Sequence, residues 1–164
     1  MDTLTQAVLI GTGATAVMDA WGIARTRLLG MPPANYGLVG RWIAYMPRGR
    51  FRHAPIAKTP PMRGELAIGW VAHYAIGIAF AGVLLAIWGL GWARQPTPGP
   101  ALLVGLGSVA APFLIMQPGM GAGIAARRTP RPNAARFQSL VTHAVFGLGL
   151  FVAAFLLNLV KGQS

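Results

Sequence analysis

Four long apolar stretches constrain this chain more than any other feature. They run from about Leu4 to Ala24, Leu66 to Trp92, Pro100 to Ala126 and Phe137 to Val160. Each matches or exceeds the roughly 20 residues a helix needs to cross the hydrocarbon core of a bilayer. Only helices and closed barrels satisfy their backbone polar groups there, and the period-two alternation of a barrel is missing. The pattern predicts an all-α, polytopic membrane protein of four transmembrane helices in a single domain over residues 1–164. Composition agrees. With 54% hydrophobic and 10% charged residues, the chain falls well short of the roughly 25% charge of soluble domains and cannot cover a water-soluble globule.

The first stretch follows Met1-Asp2-Thr3 with no basic segment before it and no convincing small-x-small cleavage site after it. It reads as a retained helix and not a signal peptide. Cysteine is missing, which excludes disulfides, thiolate metal sites and cysteine nucleophiles.

A net charge of +11 suggests a nucleic-acid binder at first sight. Its distribution says otherwise. Twelve of the fourteen Lys/Arg residues fall in two inter-helix links: Arg25, Arg27, Arg41, Arg48, Arg50, Arg52, Lys58 and Arg63 in the first, and Arg127, Arg128, Arg131 and Arg136 in the third. Arg94 and Lys161 are the remaining two. The positive-inside rule places the basic links in the cytoplasm and both termini outside it, with no nucleic-acid role required. Trp42, Trp88 and Trp92 lie near the expected boundaries, as interfacial aromatics should.

The first link is a long cytoplasmic loop over about residues 25–65. Pro32-Pro33 and Pro60-Pro61 interrupt regular helix. Between them, Leu38 to Met46 has the pattern of a short amphipathic helix at the headgroups. The run Arg48-Gly49-Arg50-Phe51-Arg52-His53 follows. With Arg41 it forms a basic patch of Arg41, Arg48, Arg50 and Arg52. The patch suits a topology determinant beside anionic lipids, or a gate or docking site for an anionic ligand.

An internal repeat is visible. Gly69-x-x-x-His73-x-x-x-Gly77 in the second helix matches Ser139-x-x-x-His143-x-x-x-Gly147 in the fourth. Leu9-Ile10-Gly11 in the first echoes Leu103-Val104-Gly105 in the third. The chain reads as two helical hairpins related as parallel repeats.

Ionisable groups inside a bilayer are costly and mark functional sites by default. Asp19, His73 and His143 are the candidates, with Gln117 as a polar group in the third helix. Counted from the basic end at ~1.5 Å per residue, Asp19 lies ~9 Å deep, His143 ~10 Å, His73 ~12 Å and Gln117 ~15 Å. All four helices thus supply a polar group at one level of the cytoplasmic half. Thr12, Thr15, Asp19, Gly22 and Thr26 share a stripe, and small residues flank both histidines, so these groups are expected to face the bundle interior.

Such a set suits a proton, a cation or a small polar ligand; as metal ligands, Asp19, His73 and His143 would offer oxygen and imidazole donors to a divalent metal. The bland alternative is a structural or accessory protein in which the same groups are interhelical glue. A third reading makes His73 and His143 the axial ligands of a b-type haem. The residues favour a binding or transport protein over an enzyme. Gly11-Thr12-Gly13 mimics a dinucleotide fingerprint but follows no strand, and Gly119-Met120-Gly121-Ala122-Gly123 lacks the lysine of a phosphate loop and fits an unwound helix end. Ser108, Ser139 and Ser164 show no triad pattern.

Several runs together resemble one family: Asn35 to Trp42, Met46 to His53, Gly64-Glu65, Gly69 to Tyr74, Gln117 to Gly121, and Arg127 to Pro132. Over nearly its whole length the chain is similar to a bacterial inner-membrane family known only as a domain of unknown function. The resemblance implies the bacterial inner membrane and supplies no activity.

Overall fold

The computed structural model describes residues 1–162; the end of the chain at Ser164, expected outside the cytoplasm, lies outside the described residues. The described residues are helical with loops. In chain order they form α1 (Thr3–Leu29), α2 (Tyr36–Tyr45), α3 (Glu65–Arg94), α4 (Pro98–Gly107), α5 (Gln117–Gly119) and α6 (Pro132–Gly162). Four segments are long and apolar enough to cross a membrane: Thr3–Leu29, Glu65–Arg94, Pro98–Gly119 and Pro132–Val160. Exposed on them are Leu4, Ile23, Val71, Ile87, Leu103, Ile115, Phe137 and Val160. So much exposed apolar surface on every long helix belongs against lipid. The chain is a multi-pass membrane protein.

Contacts divide it into two compact units. The first holds residues 1–33, 74–108 and 141–164. Its helix α1 starts where the Asp2 carboxylate accepts from the Thr5 backbone N–H at 2.8 Å, and stops at Gly30 in the left-handed conformation. The core is built from small residues and a few large ones, chiefly Ile10, Ala14, Leu84, Phe146 and Leu150. Small residues let the backbones touch. A Cβ on Gly11 would meet the backbone of Gly77 and Ile78, and one on Gly105 would meet the backbone of Gly147 and His143. The α6 residue Gly149 lies against Ala14 in the same way. Asn158 donates its amide to the carbonyls of Ala93 and Arg94 at 2.6 and 3.1 Å, satisfying acceptors that a helix end leaves open.

The second unit holds residues 34–73 and 109–140. Here α2 lies on the first turns of α3, because Gly40 and Gly69 let the two backbones come into contact. The third apolar stretch, expected to be helical through Ala126, stops as helix at Gly119. Pro112 has no N–H, and the chain passes through a π-helical turn at Pro112–Met116. Gly121 (φ 94°) and Gly123 (φ 76°) then take left-handed conformations that end the helix. The loop before α3 is stitched to this irregular segment by His53 N–H to Gly119 O (2.8 Å) and Ile56 N–H to Met120 O (3.0 Å). Trp42, read from sequence as an interfacial anchor, is instead buried against Gly119 and donates its indole N–H to Phe51 O at 2.9 Å. Trp92 is likewise buried, in the core of the first unit.

Candidate functional site

Asp19, His73, Gln117 and His143 are all half-buried, and the hydrogen bonds described join three of them to hydroxyls. In the first unit, Tyr74 of α3 donates its hydroxyl to the Asp19 carboxylate of α1 at 2.9 Å. Ser108, just beyond α4, lies 2.7 Å from Nδ1 of His143 in α6 and 2.6 Å from the Gly105 carbonyl. A serine hydroxyl has one proton, and a carbonyl only accepts. Ser108 therefore donates to Gly105, and Nδ1–H of His143 donates to Ser108. A neutral His143 is then the Nδ1–H tautomer. Ser108 is fully buried, so this tautomer is fixed away from water.

In the second unit the Tyr36 hydroxyl lies 3.0 Å from Nε2 of His73, and the two rings overlap with centroids 4.4 Å apart. Trp70 packs against the same Tyr36 ring at 4.4 Å. Gln117 opens α5; its backbone carbonyl accepts from Ala122, and its side-chain oxygen is buried without a hydrogen-bond partner. Of the sequence-derived candidates, Asp19 and His143 thus belong to the first unit, and His73 and Gln117 to the second. Among the described residues, no group of three or more His, Asp or Glu side chains is gathered closely enough to hold a metal ion.

The basic patch divides in two. Arg41 is buried and makes a two-point contact with Glu65, at 2.7 and 2.8 Å, while its third nitrogen donates to Thr59 O at 2.8 Å. The hydrogen bond to Glu65 pushes the Arg41 pKa up from an already high value. Glu65 also accepts from the Met62 backbone N–H at 2.8 Å. Arg41 is therefore a fastener between α2, the loop and α3. Arg48, Arg50 and Arg52 are exposed. His53, which the sequence puts in the cationic run, is in fact buried, with Nδ1 2.9 Å from the Thr59 hydroxyl.

Sequence reasoning missed Tyr36, Tyr74, Ser108 and Asn158. Tyr74 directly follows His73, and Ser108 stands three residues after the Gly105 of the repeat. Those positions were the available signal.

The fold and these polar pairs define a class: a small multi-pass helical membrane protein with ionisable groups inside its spans. Residues 8–157 match the family described as "Protein of unknown function (DUF2938)", and the chain belongs to that family. Neither the curated proteins nor the solved structures give a match.

Proposed function

We propose that this protein binds, and passes on, a proton at ionisable side chains inside its spans. One observation carries the reading: Asp19, His73 and His143 each hydrogen-bond a hydroxyl, from Tyr74, Tyr36 and Ser108 respectively. Tyr74 donates its proton to Asp19, and Ser108 accepts one from His143, so each hydroxyl orients the proton held at its ionisable partner. A cation or small polar ligand at Asp19 is the same reading with a different occupant. Asp19–Tyr74 and Ser108–His143 lie in the first unit and Tyr36–His73 in the second, and the proton reading requires Asp19. The protein is read as a binding or transport protein.

The membrane setting we propose is the bacterial inner membrane, with residues 25–65 and the Arg127–Arg136 segment facing the cytoplasm and its anionic lipids, and both termini outside. The clustering of basic residues supports that orientation. The two-hairpin repeat is part of the same proposal. It is supported by equivalent close approaches: Gly11 meets Gly77 in one hairpin, and Gly105 meets Gly147 in the other.

A second reading also has support. The same hydrogen bonds join α3 to α1 and α6 to the end of α4, and Asn158 joins α6 to α3. That is what interhelical glue looks like.

Proton flux into proteoliposomes separates the two. Asp19→Asn keeps the side-chain volume but removes the titrating group. On the proton reading, flux falls sharply while the melting temperature holds. Equal flux in wild type and Asp19→Asn, with lowered melting temperatures for Asp19→Asn and Ser108→Ala, selects glue.

A further inference from the structure

Two of the three exposed arginines in the basic patch, Arg48, Arg50 and Arg52, are not randomly splayed. The guanidinium carbons of Arg48 and Arg50 lie 5.5 and 5.1 Å from the centroid of one ring, that of Tyr45. The ring is buried, and its hydroxyl donates to Pro60 O at 3.1 Å, so the platform is fixed. Stacking of this kind holds a guanidinium without using its hydrogen-bond donors. The Arg50 backbone N–H also donates to Tyr45 O at 3.3 Å; the only further side-chain contact described for either arginine is Arg48 Nη1 to Met62 Sδ at 3.1 Å, and a thioether is a weak acceptor.

Among the described residues, no carboxylate is placed against these cations. The second unit contains ten Lys/Arg and one acid, Glu65. Glu65 is already paired with Arg41, so that acid is committed. Two like charges held on one platform repel unless an anion joins them. Next to them in the chain stands Phe51, 59% exposed, with its carbonyl held by Trp42 and Arg52 on its far side. A bare aromatic ring between guanidiniums, on a protein that spans a bilayer, fits a surface with phosphate at one level and acyl chain at the next.

We propose that Arg48 and Arg50, presented by Tyr45, clamp the phosphate of an anionic phospholipid headgroup, and that Phe51 inserts beside its acyl chains. The site rests on the membrane placement proposed above and is independent of the proton sites. It differs from a diffuse basic surface in needing these two arginines.

The test uses the full chain in zwitterionic detergent, titrated with phosphatidylglycerol or phosphatidylcholine, with bound lipid counted by native mass spectrometry. Arg48→Gln/Arg50→Gln removes two charge-assisted hydrogen-bond donors and should weaken phosphatidylglycerol binding about tenfold or more, with phosphatidylcholine unaffected. Arg127→Gln/Arg128→Gln removes the same charge from exposed positions in the same unit and should leave the affinity near wild type. Phe51→Ala should weaken the lipid but not inorganic phosphate, which separates a lipid headgroup from free phosphate. Melting temperatures at the wild-type value show that each variant is folded. Equal losses in the two double variants overturn the clamp, as does undiminished binding in Arg48→Gln/Arg50→Gln. Displacement of lipid by inorganic phosphate with no effect of Phe51→Ala overturns the lipid assignment. The titration does not depend on orientation. Arg52→Cys, the single cysteine in its chain, reports that separately: labelling from outside intact cells overturns the placement on which the clamp rests.

Discussion

Replacing Gly11 by alanine tests the packing of α1 on α3. An ideal Cβ there would lie 2.5 Å from the Ile78 Cα and 2.8 Å from the Gly77 carbonyl oxygen. Carbon atoms in favourable contact sit about 3.5–4.0 Å apart, so the helices must separate by about 1 Å. Overpacking of this kind costs about 1–3 kcal/mol. Against it stands the helix-propensity gain of alanine over glycine, about 0.8–1.0 kcal/mol. The net expectation runs from near neutral to a loss of about 2 kcal/mol. Gly22 lies in the same helix with nothing within 4 Å of its notional Cβ. Gly22→Ala should therefore show the propensity gain alone, neutral to about 1 kcal/mol stabilising. Reversible unfolding in mixed micelles, followed by tryptophan fluorescence, measures both. If Gly11→Ala is as stable as Gly22→Ala, the close approach of α1 and α3 is not as described. The repeat extends the comparison: Gly105→Ala should behave like Gly11→Ala, and Gly107→Ala, also open, like Gly22→Ala.

Arg41→Met leaves Glu65 without its two-point partner in a pair only 10% and 20% exposed, and should cost about 3 kcal/mol in the same unfolding assay. Arg41→Met/Glu65→Met should recover much of that loss. Asn158→Leu removes the amide that holds the Ala93 and Arg94 carbonyls and should cost about 0.6 kcal/mol, with faster amide exchange at the end of α3. The Asp2 carboxyl is held below its usual pKa, first by the Thr5 backbone N–H. A lowered folded pKa gives stabilisation that is full above the unfolded value of about 3.9 and is lost as the pH falls through the folded one. The Thr5 amide resonance should follow that loss, and in Asp2→Asn it should stay constant.

Much of the fold was legible because bilayer physics leaves few choices. Four apolar stretches give four spans, but apolarity alone carried the third to Ala126, past the glycines at which its helix ends. Pairings were not legible. Which hydroxyl meets Asp19 depends on how α1 and α3 rotate against each other, and that is set by Gly11 and Gly77, not by anything near Asp19. Tyr74 and Ser108 are ordinary residues until packing puts a carboxylate or an imidazole beside them. The basic run misled in a different way. Six consecutive residues, Arg48 to His53, read as one solvated patch, yet backbone bonds to Gly119 and Met120 turn His53 inward while the arginines stay out. Charge counting also could not tell Arg41, a buried fastener, from Arg48 and Arg50.

The chain has three carboxyl side chains, Asp2, Asp19 and Glu65, and Asp19 is the one held inside a span by a tyrosine. That makes the proton reading directly measurable by pH-difference infrared spectroscopy of the protein in lipid. The account predicts a carboxyl band that appears on acidification, vanishes in Asp19→Asn, and shifts in Tyr74→Phe because its hydrogen bond is gone. Identical difference spectra for wild type and Asp19→Asn would contradict it, for then Asp19 takes up no proton and the pair serves only to hold α1 and α3 together.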